Sequence, residues 1–360
     1  MPEGKVKHVF PGGNTSLGFF SYYNYIIDPD EACRIFVIKG GPGVGKSTFM
    51  KKIGNEMHKR GYDIEFMHCS SDNNSLDGVV IPALKYAFID GTAPHIVDPK
   101  FPGAIDEIIN FGEYWNEEGI KQNREDVIND SREATRYFNR AYKYLKAAAS
   151  IYEDSAYINS MALNKGKLDL RIDSIIDVIF NERHTASMPG KERCLFASAM
   201  TPNGYCNFLD SILTTKYVYE LRGGLATGEE KILEEVRNSA VKRGLLTESY
   251  YCAFRPNKLE HLVIPELDVS FTTSNPYHSS RVKNCETIDI RNYLDKEVLE
   301  RYSDELYQNQ EEFDNLLSIA LLNINKAKTV HDRLETYYVP NINFKGIDEC
   351  YEKTLKRILI

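Results

Sequence analysis

The sequence predicts an α/β protein made of two tandem halves, each a parallel sheet with helices on its faces and a helical arm beyond it. Three observations predict this. A short apolar run, Ile35 to Ile38, enters the glycine loop "KGGPGVGKST" (Lys39 to Thr48) and then a helix-like stretch ending at Gly61, which is the order strand, loop, helix. The loop has an altered echo, "RGGLATGEEK", from Arg222 to Lys231. At an offset of 183, residues 40–95 match 223–278 without a gap, with 17 identities in 56 positions. The chain therefore reads as one tandem duplication, with a first domain over 1–188 and a second over 189–360.

The first loop fits G-x-x-x-x-G-K-[ST], the pattern of a phosphate-binding loop. Gly40, Gly41, Pro42, Gly43, Val44 and Gly45 let backbone N–H groups converge on an anion, and the helix that follows adds its positive end. Lys46 is expected to reach the β- and γ-phosphates of ATP, Ser47 to ligate Mg²⁺, and Thr48 to meet the α-phosphate. A second metal ligand is expected at a neighbouring strand end, and "YAFID" supplies Asp90 there. Gly91 follows Asp90 where many motor ATPases carry a glutamate, so water activation is expected to be weak or to come from elsewhere.

Between these lies "IEFMHCSSDNNSLDGVVIP", read as a strand ending near Met67 and then a polar loop. His68 and Asp72 are candidate catalytic groups there, at the carboxyl edge of the sheet. A polar turn accounts for the same residues. A metal site of His68, Cys69 and His95 is a weaker reading, since the spacing matches no zinc pattern.

Each half leaves its core through helices, over 119–156 and 294–335. Mutual packing of the two arms is expected ahead of a surface for an outside protein partner. In the second half Lys46 becomes Glu229, Ser47 becomes Glu230 and Asp90 becomes Thr273. At ~4 Å and an effective dielectric of ~20, a charge pair is worth about 4 kcal/mol, so exchanging lysine for glutamate turns attraction for a phosphate into comparable repulsion. The second loop is expected to keep its turn, bind no triphosphate, and cap its own helix with Glu229 and Glu230.

With 27% charged residues, 42% hydrophobic residues and a net charge of -8, the composition is that of a globular protein for which nucleic acid is not the default partner. The N-terminus lacks a signal-peptide core, no apolar run approaches a membrane span, and the seven cysteines form no CxxC pair; a cytoplasmic protein with reduced thiols is expected.

"FPGGNTSLGFFSYYNYI", "KGGPGVGKST", "HCSSDNNSLDGVVIP" and "IDGTAPH", with "TPNG" and "VIPELD" in the second half, resemble a family of uncharacterised bacterial tandem P-loop ATPases. The resemblance implies two P-loop NTPase-like domains, ATP binding at Gly40 to Thr48, and ATP hydrolysis. An ATP-dependent kinase with its acceptor near His68 to Asp72 stays open beside the ATPase reading, as does a non-catalytic nucleotide-responsive scaffold. "NKLE" (Asn257 to Glu260) only superficially matches a guanine-binding motif.

Overall fold

The computed structural model describes residues 3–93, 96–181, 183–283 and 286–359. His95 lies outside them. The first half runs β1 (Val6–Val9), β2 (Gly12–Thr15), β3 (Gly18–Ser21), β4 (Arg34–Lys39), α1 (Lys46–Lys59), β5 (Ile64–His68), β6 (Leu76–Ile81), β7 (Tyr86–Asp90), β8 (Asp106–Asn110), α2 (Glu117–Lys121), α3 (Arg124–Ala162) and α4 (Lys165–Phe180). The second repeats it: β9 (Glu192–Phe196), β10 (Ser198–Thr201), β11 (Gly204–Asn207), α5 (Leu209–Ile212), β12 (Tyr217–Arg222), α6 (Glu230–Lys242), β13 (Thr247–Tyr251), β14 (Leu259–Ile264), β15 (Val269–Ser274), β16 (Glu286–Asp289), α7 (Lys296–Arg301), α8 (Ser303–Tyr338) and α9 (Phe344–Ile358).

Each half has a six-stranded sheet, ordered β1-β5-β6-β7-β4-β8 and, in mirrored listing, β9-β13-β14-β15-β12-β16. The expectation of parallel sheets is corrected here, because both sheets are mixed. β6 is antiparallel to β5 and β7, and β14 to β13 and β15. The cause is local. The polar segment after His68 is only long enough to turn the chain back, whereas a parallel neighbour needs a crossover of a dozen residues or more. The strands around the loops, β7-β4-β8 and β15-β12-β16, remain parallel, as a strand–loop–helix unit requires.

The helices are exchanged between the halves. One face of the first sheet packs Phe36, Ile38 and Phe88 against Phe49, Met50 and Ile53 of α1. The same core takes Ile347, Leu355 and Ile358 from α9, at the far end of the chain. Conversely, Leu168, Ile172 and Ile175 of α4 share a core with α6 and with Leu221, Leu262 and Phe271 of the second sheet. Each core therefore takes a helix from across the boundary at residue 188. The opposite faces of the two sheets meet in one apolar layer that includes Val37, Ala87 and Ile89 with Leu195, Tyr250 and Val263.

The arms are two long helices, α3 of 39 residues and α8 of 36, packed on each other. They run antiparallel: Arg333 pairs with Asp130 near one end, and Asn309 donates to Asp154 near the other. Apolar residues at helical spacing, Ala141, Leu145 and Ala148 facing Phe313, Leu317 and Ile324, form the seam. The arm connections also match. Asn164 caps α4 by accepting from Lys167 N–H, and Asn343 caps α9 by accepting from Gly346 N–H. No helix among the described residues is long and apolar enough to cross a membrane. The six cysteines among them are all unpaired.

Candidate functional site

The first loop joins β4 to α1. Gly43 and Gly45 have φ of 66° and 90°, a region that favours glycine, and this is the local reason for the residue type. Gly45 is the N-cap of α1, no side chain caps that end, and the first turn holds no acidic residue. The positive helix end thus faces the loop without a carboxylate from its own first turn. Lys46 Nζ donates to the carbonyls of Gly40 and Gly41 at 3.0 and 2.8 Å, and lies 3.6 Å from Asp90 at the end of β7. Asp90 accepts from the Thr92 N–H and hydroxyl at 2.9 and 2.5 Å. Ser47 Oγ accepts from Leu76 N–H at 3.0 Å. The folded chain therefore brings Lys46 and Asp90 together at the mouth of the loop, with Ser47 one residue further on. A hydroxyl and a strand-end carboxylate are hard oxygen donors of the kind Mg²⁺ takes alongside phosphate oxygens.

His68 and Asp72 are differently engaged. His68 Nε2 is 2.8 Å from His8 Nδ1, and its ring packs on Phe10 and Phe208. Burial, followed by the nearby His8 and Lys51, pushes its pKa down to about 3, so it is neutral near pH 7. Asp72 holds the turn between β5 and β6, accepting from Ser75 Oγ at 2.8 Å and Asn74 N–H at 3.0 Å, and it pairs with Lys328 of α8 at 3.4 Å. Among the described residues, neither His68 nor Cys69 belongs to a cluster able to hold a metal ion.

The second loop keeps the turn: Ala226 takes φ of 58° where Gly43 stands in the first, and Gly228 takes 91°. Its interior is filled by its own side chain. Glu229 is 2% exposed, and its carboxylate accepts from Thr227 Oγ1 at 2.5 Å. A Cβ added to Gly223 would fall 1.7 Å from Glu229 Oε1, so the carboxylate lies directly against the glycine turn. Glu229 is the N-cap residue of α6 and Glu230 lies in its first turn, but the Glu229 carboxylate makes no side-chain hydrogen bond to the helix end. Lys258 balances it instead, 3.5 Å from Glu229 and 3.6 Å from Glu230. Burial alone would lower the pKa of Lys258; Glu229, Tyr152 and Glu230 outweigh that and hold it well above the ordinary lysine value.

Each loop is overlain by the arm of the other half. A Cβ on Gly41 would come within 2.8 Å of the Tyr338 ring, and one on Gly43 within 3.0 Å of Val339 and 3.2 Å of Glu335. At the position in α3 that matches Tyr338 in α8, Asn159 donates to the carbonyls of Leu225 and Ala226 at 3.0 and 3.2 Å. Beside Thr48 a cleft of about 80 Å³ opens between α1 and α9, lined in part by Lys52, Phe344 and Tyr351. Sequence reasoning missed Lys258, although it stands at the offset position of Ser75 and adds a cation in the half that gained two carboxylates. The covering residues Glu335, Tyr338 and Val339 carried no signal, because they belong to the other half's arm.

No family model, curated protein sequence or solved structure matches the chain.

Proposed function

We propose that the protein binds and hydrolyses ATP at one site, the loop from Gly40 to Thr48, and that the second half is a non-binding scaffold. The observation that carries the reading is an uncapped helix start behind a glycine turn, with Lys46 and Asp90 3.6 Å apart at its mouth. Lys46 would exchange the Gly40 and Gly41 carbonyls for phosphate oxygens. Ser47 and Asp90 would hold Mg²⁺, which neutralises charge on the phosphates when bound. The tandem P-loop family that the sequence resembles fits this reading.

Tyr338 and Val339 lie against Gly41 and Gly43, so nucleotide entry would need the α8–α9 corner to move. Occupancy at the loop is coupled in this way to the arms, which favours a switching ATPase. A phosphotransferase with its acceptor at His68 to Asp72 is less well supported, because Asp72 is tied to Ser75 and Lys328 and His68 to an aromatic enclosure.

Calorimetry with ATP and Mg²⁺ tests the reading. One site per chain is expected, lost in Lys46→Ala. Asp90→Asn is expected to reduce Mg²⁺-dependent phosphate release more than nucleotide binding. Two comparable sites, or unchanged binding in Lys46→Ala, would overturn it.

A further inference from the structure

The second half buries three metal-ligating side chains close together. Glu260 and His261 are consecutive on β14, and His278 follows β15. They are 3%, 0% and 4% exposed. One ligand atom from each lies within 4.8 Å of the others.

Each histidine contacts a threonine hydroxyl through one ring nitrogen. His261 Nδ1 is 2.9 Å from Thr272 Oγ1, and His278 Nε2 is 2.8 Å from Thr273 Oγ1. The other nitrogen of each ring, His261 Nε2 and His278 Nδ1, has no hydrogen-bond partner among the described residues, and neither has Glu260 Oε2. His261 Nε2 is 3.7 Å from Glu260 Oε2, and His278 Nε2 is 3.9 Å from Glu260 Oε1. Those separations exceed hydrogen-bond distance, so the three groups do not satisfy one another. Buried polar atoms without partners are rare, and three in one cluster call for an explanation. His261, held through Nδ1 by Thr272 with Nε2 turned to Glu260, has the arrangement of metal-bound imidazole, while the His278 nitrogen nearest Glu260 is Nε2, which would exchange its contact with Thr273 for an ion. Zn–N and Zn–O bonds of about 2.0–2.2 Å place tetrahedral ligand atoms roughly 3.3–3.6 Å apart, so side chains whose ligand atoms now lie within 4.8 Å would draw together around the ion.

The first half lacks a histidine at the position that matches His261. Gly78 stands where His261 does, and a Cβ there would lie 3.0 Å from the Phe88 carbonyl oxygen. Two imidazoles and one carboxylate select a borderline transition-metal dication over Mg²⁺ or Ca²⁺, which prefer all-oxygen shells. We propose that Glu260, His261 and His278 bind one Zn²⁺ per chain as a structural site that locks the second half, with a solvent or hydroxyl oxygen as the fourth ligand. Because the ligands are buried, the ion enters as the chain folds. The proposal is independent of the nucleotide reading.

The test uses the full-length, tag-free chain, unfolded in guanidinium with a chelator and refolded with or without Zn²⁺. Stoichiometric zinc retained after desalting is expected, with a higher melting temperature than the metal-free sample. Co²⁺ in its place should give visible absorption typical of a tetrahedral site. His261→Gln and His278→Gln should each lose the ion while the circular dichroism of the sheets persists. Should those variants fail to fold, anomalous scattering at the zinc edge from wild-type crystals decides, with the peak expected among the three side chains. Substoichiometric zinc in a folded, equally stable wild type, or a peak elsewhere, overturns the proposal.

Discussion

At the scale of the residue, the two loops show how little separates an open glycine turn from a closed one. Lys46 and Glu229 occupy matching positions beside matching glycine turns. In the first loop an ammonium rests on the carbonyls of Gly40 and Gly41. In the second, a carboxylate occupies the turn and is held there by Thr227 and Lys258. Restoring the motif with Glu229→Lys and Glu230→Ser would therefore place a second ammonium beside Lys258 and remove both of its counter-charges. Breaking a buried ion pair typically costs roughly 3–5 kcal/mol. The double variant is expected to lose stability of that order in urea titrations. In a Lys46→Ala background it is expected to release no phosphate from ATP, and wild-type-like turnover there would refute the scaffold reading of the second half.

At the scale of the element, the exchange of α4 and α9 makes each half depend on the other's terminal helix. Leu355 of α9 is 8% exposed in the core of the first sheet, and Leu168 of α4 is fully buried in the core of the second. Leucine-to-alanine changes at such sites cost roughly 2–5 kcal/mol. Their local effects should cross the sequence boundary. Leu355→Ala is expected to speed hydrogen exchange in α1, some 300 positions upstream, and Leu168→Ala to speed it in α6. Exchange confined to the half that carries each substitution would contradict the arrangement. The same exchange puts Tyr338 and Val339 against Gly41 and Gly43, which gives the arms a mechanical link to the loop.

At the scale of the whole molecule, the halves are tied by a buried charge network as well as by the apolar layer. Arg193 makes two hydrogen bonds to Glu65, at 2.9 and 2.6 Å, and Lys7 makes two to Glu248, at 2.7 and 2.9 Å. Each cation thus bonds the carboxylate of the opposite half. Burial alone pushes Glu65 up, but Arg193 and then Lys7 outweigh it and bring its pKa down to about 2. A carboxylate depressed in the folded state contributes stability that is full above its unfolded value, ~4.3, and is lost as pH falls toward 2. Unfolding titrations between pH 5 and pH 2 should show that loss, and Glu65→Gln should be less stable at pH 7 with a flatter acid limb. An acid limb identical to wild type would show that Glu65 carries no part of the link.

Much of this was legible in the chain itself. The glycine spacing before Lys46, the apolar run before it and the offset of 183 are local patterns, because a strand, a tight turn and a helix start are decided by a few neighbouring residues. The arms were legible for the same reason, since helical spacing repeats every few residues along Tyr144, Leu145 and Ala148. Strand direction was not: the reversal at β6 depends on which neighbour the strand pairs with, and apolar content is the same either way. Nor did the sequence show which sheet α4 and α9 would cover, because an amphipathic face records only that it must be buried. Lys258 beside Glu229, Tyr338 over Gly41, and His278 beside Glu260 and His261 are juxtapositions of residues distant in the chain. They exist only because two copies of one topology closed on each other and brought separate strand ends and helix ends to common points.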